Sequence, residues 1–169
     1  MSRVLRRVGS SVYTLAILLL TSIGVGLAGR RGILIPVAAP FAVVLVLALR
    51  VLRPSAERAA WALFTLWLGS TYLQTGSAIE RFALVAYGSL ALAGVFLSPW
   101  WLVAAWVAHP LWDQVPRTLP PVLQDLPTAC LFFDWVIAAY LVIGSYQQRW
   151  SSRRARIPTG RFDESRELT

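Results

Sequence analysis

The chain has 169 residues, 57% of them hydrophobic and only 14% charged, against roughly 25% charged in ordinary soluble domains. So apolar a composition excludes a soluble domain with a polar surface and points to one domain of helices immersed in a lipid bilayer. All 16 basic residues are Arg, and His109 and Cys130 are the only residues of their kinds, which excludes a phosphate-loop or Schiff-base lysine, a two-His metal centre within one subunit, and dithiol chemistry.

Six apolar segments follow in chain order. The first runs from about Val12 to Ala28 and ends at Gly29-Arg30-Arg31-Gly32. Its Arg6-Arg7 start and small-residue end resemble a secretory signal, but an uncleaved first helix is expected. The second runs from near Ile33 to about Leu52, with Pro36 and Pro40 in its opening turns, where a missing amide donor costs least. Arg53-Pro54-Ser55 breaks the chain, and Ser55 is a candidate cap for a third helix, about Ala56 to Gln74. Ser77-Ala78-Ile79-Glu80 fits a capping box and starts a fourth, from Ala78 to near Leu97. Ser98-Pro99 separates it from a short fifth, Trp100 to about Asp113. A Pro-rich stretch, Gln114 to Leu126, leads to the sixth, about Pro127 to Tyr146. Residues from Gln147 onward are polar and Arg-rich and predict a mobile tail, so that residues 1–150 form the transmembrane bundle and 151–169 a cytoplasmic extension.

Charge orients this array. Fusing the fourth and fifth segments would give a helix of about 54 Å at 1.5 Å per residue, too long for about 30 Å of hydrocarbon. Six spans with both termini inside place 12 Arg in the cytoplasm and leave four (Arg30, Arg31, Arg81, Arg117) outside, as the positive-inside rule expects. Anionic lipid headgroups on the cytoplasmic side are then the partner that explains the net charge of +8; nucleic acid is not expected. Trp61, Trp100, Trp101, Trp112, Trp135 and Trp150 lie near predicted helix ends, where aromatic belts form. The expected fold is therefore all-α, a six-helix polytopic bundle in a bacterial inner membrane.

The ionisable residues of the last two spans are the candidates for chemistry. His109 and Asp113 are spaced i, i+4 on one helix face. Counting along the axes at 1.5 Å per residue sets His109 and Asp134 at similar depth in the outer leaflet. A carboxylate within a span costs at least about 2.5 kcal/mol, so Asp134 needs a partner or a purpose. His109, Arg81, Tyr87 and Gln74 are candidate partners. The functional reading is a polar pocket, formed by His109, Asp113, Asp134, Arg81 and Tyr87, that binds a small polar or cationic ligand in a proton-coupled way. The structural reading is a pair that only ties helices together, as in an accessory subunit of a membrane complex or a homo-oligomer. A third is an interfacial enzyme with His109 as general base. No cofactor and no metal site are expected from one chain. Glu80 is read as a capping residue and Cys130 as a small apolar packer.

The stretch His109-Pro110-Leu111-Trp112-Asp113, with Cys130 and Asp134 downstream, resembles an uncharacterised family of small bacterial membrane proteins that pairs a His-x-x-Trp-Asp element with Cys-x-x-x-Asp. The resemblance covers about Trp100 to Ile143. It implies a polytopic fold and no particular activity. Where that pattern places a second His, this chain reads Gln114-Val115-Pro116.

Overall fold

The computed structural model describes residues 3–75, 77–116 and 118–150, the backbone alone for 3–7, 74 and 75. Six α-helices make up the described chain: α1 (Arg3–Arg30), α2 (Leu34–Leu49), α3 (Pro54–Thr71), α4 (Ala78–Phe96), α5 (Pro99–Asp113) and α6 (Leu126–Tyr146). Short 3-10 turns follow α3 (Tyr72–Thr75) and precede α6 (Pro121–Leu123). Three stretches, Val8–Arg30, Ala78–Phe96 and Pro121–Tyr146, are long and apolar enough to cross a membrane, and α2 is a shorter apolar helix. The outward faces are apolar too: Leu15, Leu19, Phe82, Val85, Leu111 and Trp135 are all exposed. Such a surface suits lipid and not water.

Local chemistry sets the boundaries. Chain reversal after α1 uses Gly32 in the left-handed region (φ 65°), with Ile33 N–H donating to Ala28 O and Gly32 N–H to Gly29 O, the two bonds of a Schellman cap. Pro54 opens α3 with Arg53 at the cap position, so Ser55 lies inside the helix and not before it. Ser77 caps α4 by accepting from Ile79 N–H, and Ser98 caps α5 by accepting from Trp100 N–H. The α4–α5 break at Ser98-Pro99 is therefore real, and the two helices pack side by side. At Gly94 they approach so closely that a Cβ there would lie 2.6 Å from Leu102 Cβ and 2.9 Å from its backbone nitrogen.

Helix α6 is the hub, flanked by α2 and α5, while α3 packs on α4 and also contacts α5; α1 lies at the margin. Contacts at the helix ends fix the directions. Tyr13 of α1 donates to Ala48 O near the end of α2, and Arg149, just past α6, donates to Arg50 O. The start of α1 and the ends of α2 and α6 thus share one end of the bundle with the start of α3. The core between is aromatic, with Trp61, Phe64 and Trp106 all essentially buried. The belt expectation fails for two tryptophans: Trp61 faces the core, and Trp150 folds under the bundle (6% exposed). Trp100, Trp101 and Trp135 do face outward.

The expectation of mobility from Gln147 onward fails for Gln147 to Trp150, which are held by hydrogen bonds. Gln148 adopts φ 52°, and Arg149 N–H and Gln148 N–H bond back to Gly144 O and Ser145 O. This second Schellman turn carries Arg149 and Trp150 back onto Glu57, which is fully buried. Glu57 accepts from Tyr140 Oη, from Arg149 Nε at 2.9 Å and from Trp150 Nε1 at 3.5 Å, and pairs with Arg149 Nη2 at 2.8 Å. Gly144 makes room, since a Cβ there would lie 2.4 Å from the Trp150 ring. The mobile-tail expectation for 151–169 lies outside the described residues.

This lock predicts an asymmetry. Arg149→Gln strands a carboxylate in the core and should cost about 3 kcal/mol, the low end for a broken buried pair, whereas Glu57→Gln leaves a partly solvated Arg and should cost less. Thermal unfolding of the purified variants in detergent checks this; equal or reversed losses would show that the ion pair does not organise this end. Gly94→Ala should destabilise by about 1–3 kcal/mol through overpacking of α4 on α5, read in the same experiment.

Candidate functional site

At the opposite end of the bundle, the sequence puts ionisable residues on two facing helices. On α5, the i, i+4 spacing stacks His109 and Asp113 on the face turned toward α6. On α6, the buried stripe runs Leu126, Ala129, Cys130, Phe133, Asp134, Ile137, Ala138, Leu141, a 3.6-residue period with one carboxylate in its middle. Packing α5 on α6 therefore brings Asp134 to His109. Their side chains meet directly, Nδ1 to Oδ2 at 2.7 Å. Asp113 Oδ2 lies 3.4 Å from the same nitrogen. All three are buried: His109 is 2% exposed, Asp113 3% and Asp134 0%.

An ionised carboxylate only accepts hydrogen bonds, so Nδ1 carries the proton and donates to Asp134. One N–H faces two carboxylates, and it can satisfy only one well. His109 Nε2 and Asp134 Oδ1 are buried and have no hydrogen-bond partner among the described residues. A buried polar atom left in this way calls for an explanation such as a water or an ion.

Aromatic rings wall the site. Tyr87 of α4 meets the imidazole edge to face, centroids 5.7 Å apart, and Tyr72 lies over it at 6.4 Å. Tyr87 Oη donates to Ala108 O at 3.0 Å, so its hydroxyl is tied to the α5 backbone. Trp112 Nε1 donates to Glu80 Oε2 at 2.9 Å, pinning the start of α4 to the end of α5. Above Asp113 a polar cleft of about 450 Å³ opens, lined by Gln114, Thr118, Gln124 and the surrounding prolines. Asp113 thus belongs both to the buried cluster and to the wall of a surface opening.

Of the predicted site residues, the structure gathers His109, Asp113 and Asp134, and sets Tyr87 against them by its ring. Arg81 is exposed on α4, next to the buried Glu80, because successive helical residues point about 100° apart. The side chain of Gln74 and the whole of Arg117 lie outside the described residues. Sequence reasoning missed Tyr72, which ends a polar Ser70-Thr71-Tyr72 run; an aromatic closing a span beside a buried His was the available signal. It also assigned Glu80 to capping alone, whereas Glu80 is buried and holds an indole.

A bundle of apolar helices with a buried His–Asp–Asp cluster is compatible with a membrane protein carrying one polar site. The chain belongs to the DUF6010 family, a family of unknown function, whose profile matches residues 32–147, from α2 through α6. No curated protein and no solved structure matches the chain.

Because His109 is the only histidine, ¹⁵N-histidine labelling reports on this site alone. The wild-type protein should show a strongly downfield Nδ1–H proton, as a short charge-assisted hydrogen bond gives. Asp134→Asn should move it upfield, while Glu57→Gln leaves it in place. An Nδ1 signal indifferent to Asp134→Asn would mean that the two side chains do not bond in solution.

Proposed function

We propose that this chain is a six-span protein of the bacterial inner membrane, with both termini in the cytoplasm, that binds a small cation at the His109–Asp113–Asp134 site in the outer half of the bundle. The observation that carries this reading is that two buried carboxylates face one imidazole nitrogen, at 2.7 and 3.4 Å. Such an arrangement concentrates negative charge where hydrocarbon cannot solvate it. A cation entering between the carboxylates would take the place of the Nδ1 proton, which makes binding proton-coupled.

The orientation draws on the charge at the two ends. Arg50, Arg53, Arg58 and Arg149 lie toward the end that holds the Glu57 lock, and Arg30, Arg31 and Arg81 toward the end that holds the site. With the richer end inside, the cleft over Asp113 opens to the outer face and supplies a route for a hydrated ion. Anionic headgroups attract the inner end. The base-catalysis alternative, with Asp134 orienting His109, is less favoured because Nε2, the nitrogen that would act as the base, is buried and His109 does not line the cleft that reaches Asp113.

Two measurements test the proposal. Reporter fusions after Trp150 should read as cytoplasmic and fusions between Thr118 and Asp125 as external; an external fusion after Trp150 would overturn the topology. Small cations, from Na⁺ and guanidinium to divalent ions, should be screened for thermal stabilisation of the purified protein. At least one should raise the melting temperature in a way that Asp134→Asn abolishes; a panel without effect would sink the cation-site reading.

A further inference from the structure

We infer that the cation is a divalent first-row transition metal ion, bound by His109 Nδ1, one oxygen of Asp113 and one of Asp134. The inference rests on the cation-site reading above and narrows it to a chemical class. Each of the three residues offers a ligand atom, and these atoms all lie within 4.8 Å of one another. A tetrahedral ion with bonds of about 2.0–2.2 Å sets its donors roughly 3.3–3.6 Å apart. The Nδ1–Asp113 distance of 3.4 Å already matches that spacing. The Nδ1–Asp134 distance of 2.7 Å is the length of a hydrogen bond; it must open by roughly 0.6–0.9 Å when a metal replaces the proton.

Asp134 supplies the independent sign. It is fully buried, and its Oδ1 has no donor among the described residues, so the carboxylate has coordinating capacity that the protein leaves unused. Its contrast is Glu57, equally buried, whose oxygens accept from Tyr140, Arg149 and Trp150. Both carboxylates are held by apolar helices, but only one is saturated. Charge leads to the same class, since two carboxylates beside the imidazole favour a divalent ion over a neutral ligand. Mixed imidazole and carboxylate donors suit Zn²⁺, Mn²⁺ or Fe²⁺, whereas Ca²⁺ and Mg²⁺ prefer oxygen-only sets. The wall of the cleft at Asp113 leaves the fourth position to a water or an external ligand, as open metal sites have. Seeking paired histidines, the sequence reading expected no metal; one His and two carboxylates form a ligand set that a single chain can complete.

The test uses the full chain, purified with a histidine-free tag, stripped with chelator and reloaded. Zn²⁺ should be retained at about one ion per chain, and Co²⁺ should give the visible bands of a four- or five-coordinate site. His109→Ala and Asp113→Asn should each weaken Zn²⁺ binding at least tenfold. In the unsubstituted protein Zn²⁺ should erase the Nδ1–H signal of the single histidine, a readout that needs no variant to fold. Retention far below one ion, binding equal in the variants, or an unmoved histidine spectrum would each overturn the metal assignment. If Zn²⁺ and Co²⁺ fail while Na⁺ or guanidinium still gives the Asp134-dependent stabilisation, the metal inference falls and the cation site stands. If no cation binds, both fall.

Discussion

A carboxylate among apolar helices has to be given donors by the protein, because hydrocarbon offers none and the desolvation penalty is several kcal/mol. Glu57, Glu80, Asp113 and Asp134 all place that demand on this bundle, most severely Glu57 of α3 and Asp134 of α6, which have no exposed surface. Meeting it ties the helices together. Glu57 draws on Tyr140 of α6 and on Arg149 and Trp150 beyond it, and Arg149 reaches on to the end of α2. Asp134 draws on His109 of α5. Helix α6 is thereby fastened at both ends, to α2 and α3 at one and to α5 at the other. Its place as the hub between α2 and α5 follows from these bonds as much as from its apolar stripe.

The two solutions differ in kind, and the difference separates scaffold from site. Around Glu57, one positive charge and two neutral donors converge on one carboxylate, and the turn that delivers them spends a non-glycine residue, Gln148, in the left-handed region. Ordering that turn just beyond α6 makes sense as a device for holding the bundle closed. Around Asp134 the proportion is inverted: a single N–H faces two carboxylates, and polar atoms on both His109 and Asp134 are without partners among the described residues. A purely structural pair would gain by shedding the second acid or adding a donor. Asp134 Oδ1, fully buried, keeps an accepting capacity that no donor among the described residues fills.

Much of this was legible in the sequence, for identifiable reasons. Six helices followed from apolar runs punctuated by Pro, Gly and Ser caps, and the split at Ser98-Pro99 followed from length and from cap chemistry that the structure contains. The meeting of His109 with Asp134 followed from equal depth on neighbouring helices. Sequence failed where a side chain's direction, and not its depth, decides. Trp61 sits near enough to a helix start to pass as a belt residue, yet its rotational position turns it into the core, 5.8 Å from Trp106. Arg81 was matched to Asp134 by depth, yet it is exposed whereas Asp134 is fully buried. Glu57 was counted only as a cytoplasmic charge, because its partners are far along the chain: Tyr140 on α6, then Arg149 and Trp150 beyond a turn built on Gln148 that no turn propensity announces. Such long-range closures have no local signature.

The two clusters also stand in a definite relation to each other. Trp106 is one turn before His109 on α5, and its ring packs against Trp61 and, at 6.1 Å, against Phe133. Trp61 in turn packs at 6.0 Å on Tyr140, a Glu57 partner. The indole nitrogens of Trp61 and Trp106 are buried and have no acceptor among the described residues. An aromatic layer therefore lies between the acidic site and the lock, polar enough in its N–H groups to border both and too densely packed to solvate a bare ion. The polar cleft meets the site from the other direction, at Asp113. Trp61 stands one turn beyond Glu57 on α3, so this aromatic layer joins the helices that the lock ties together, α3 and α6, to α5, which carries His109.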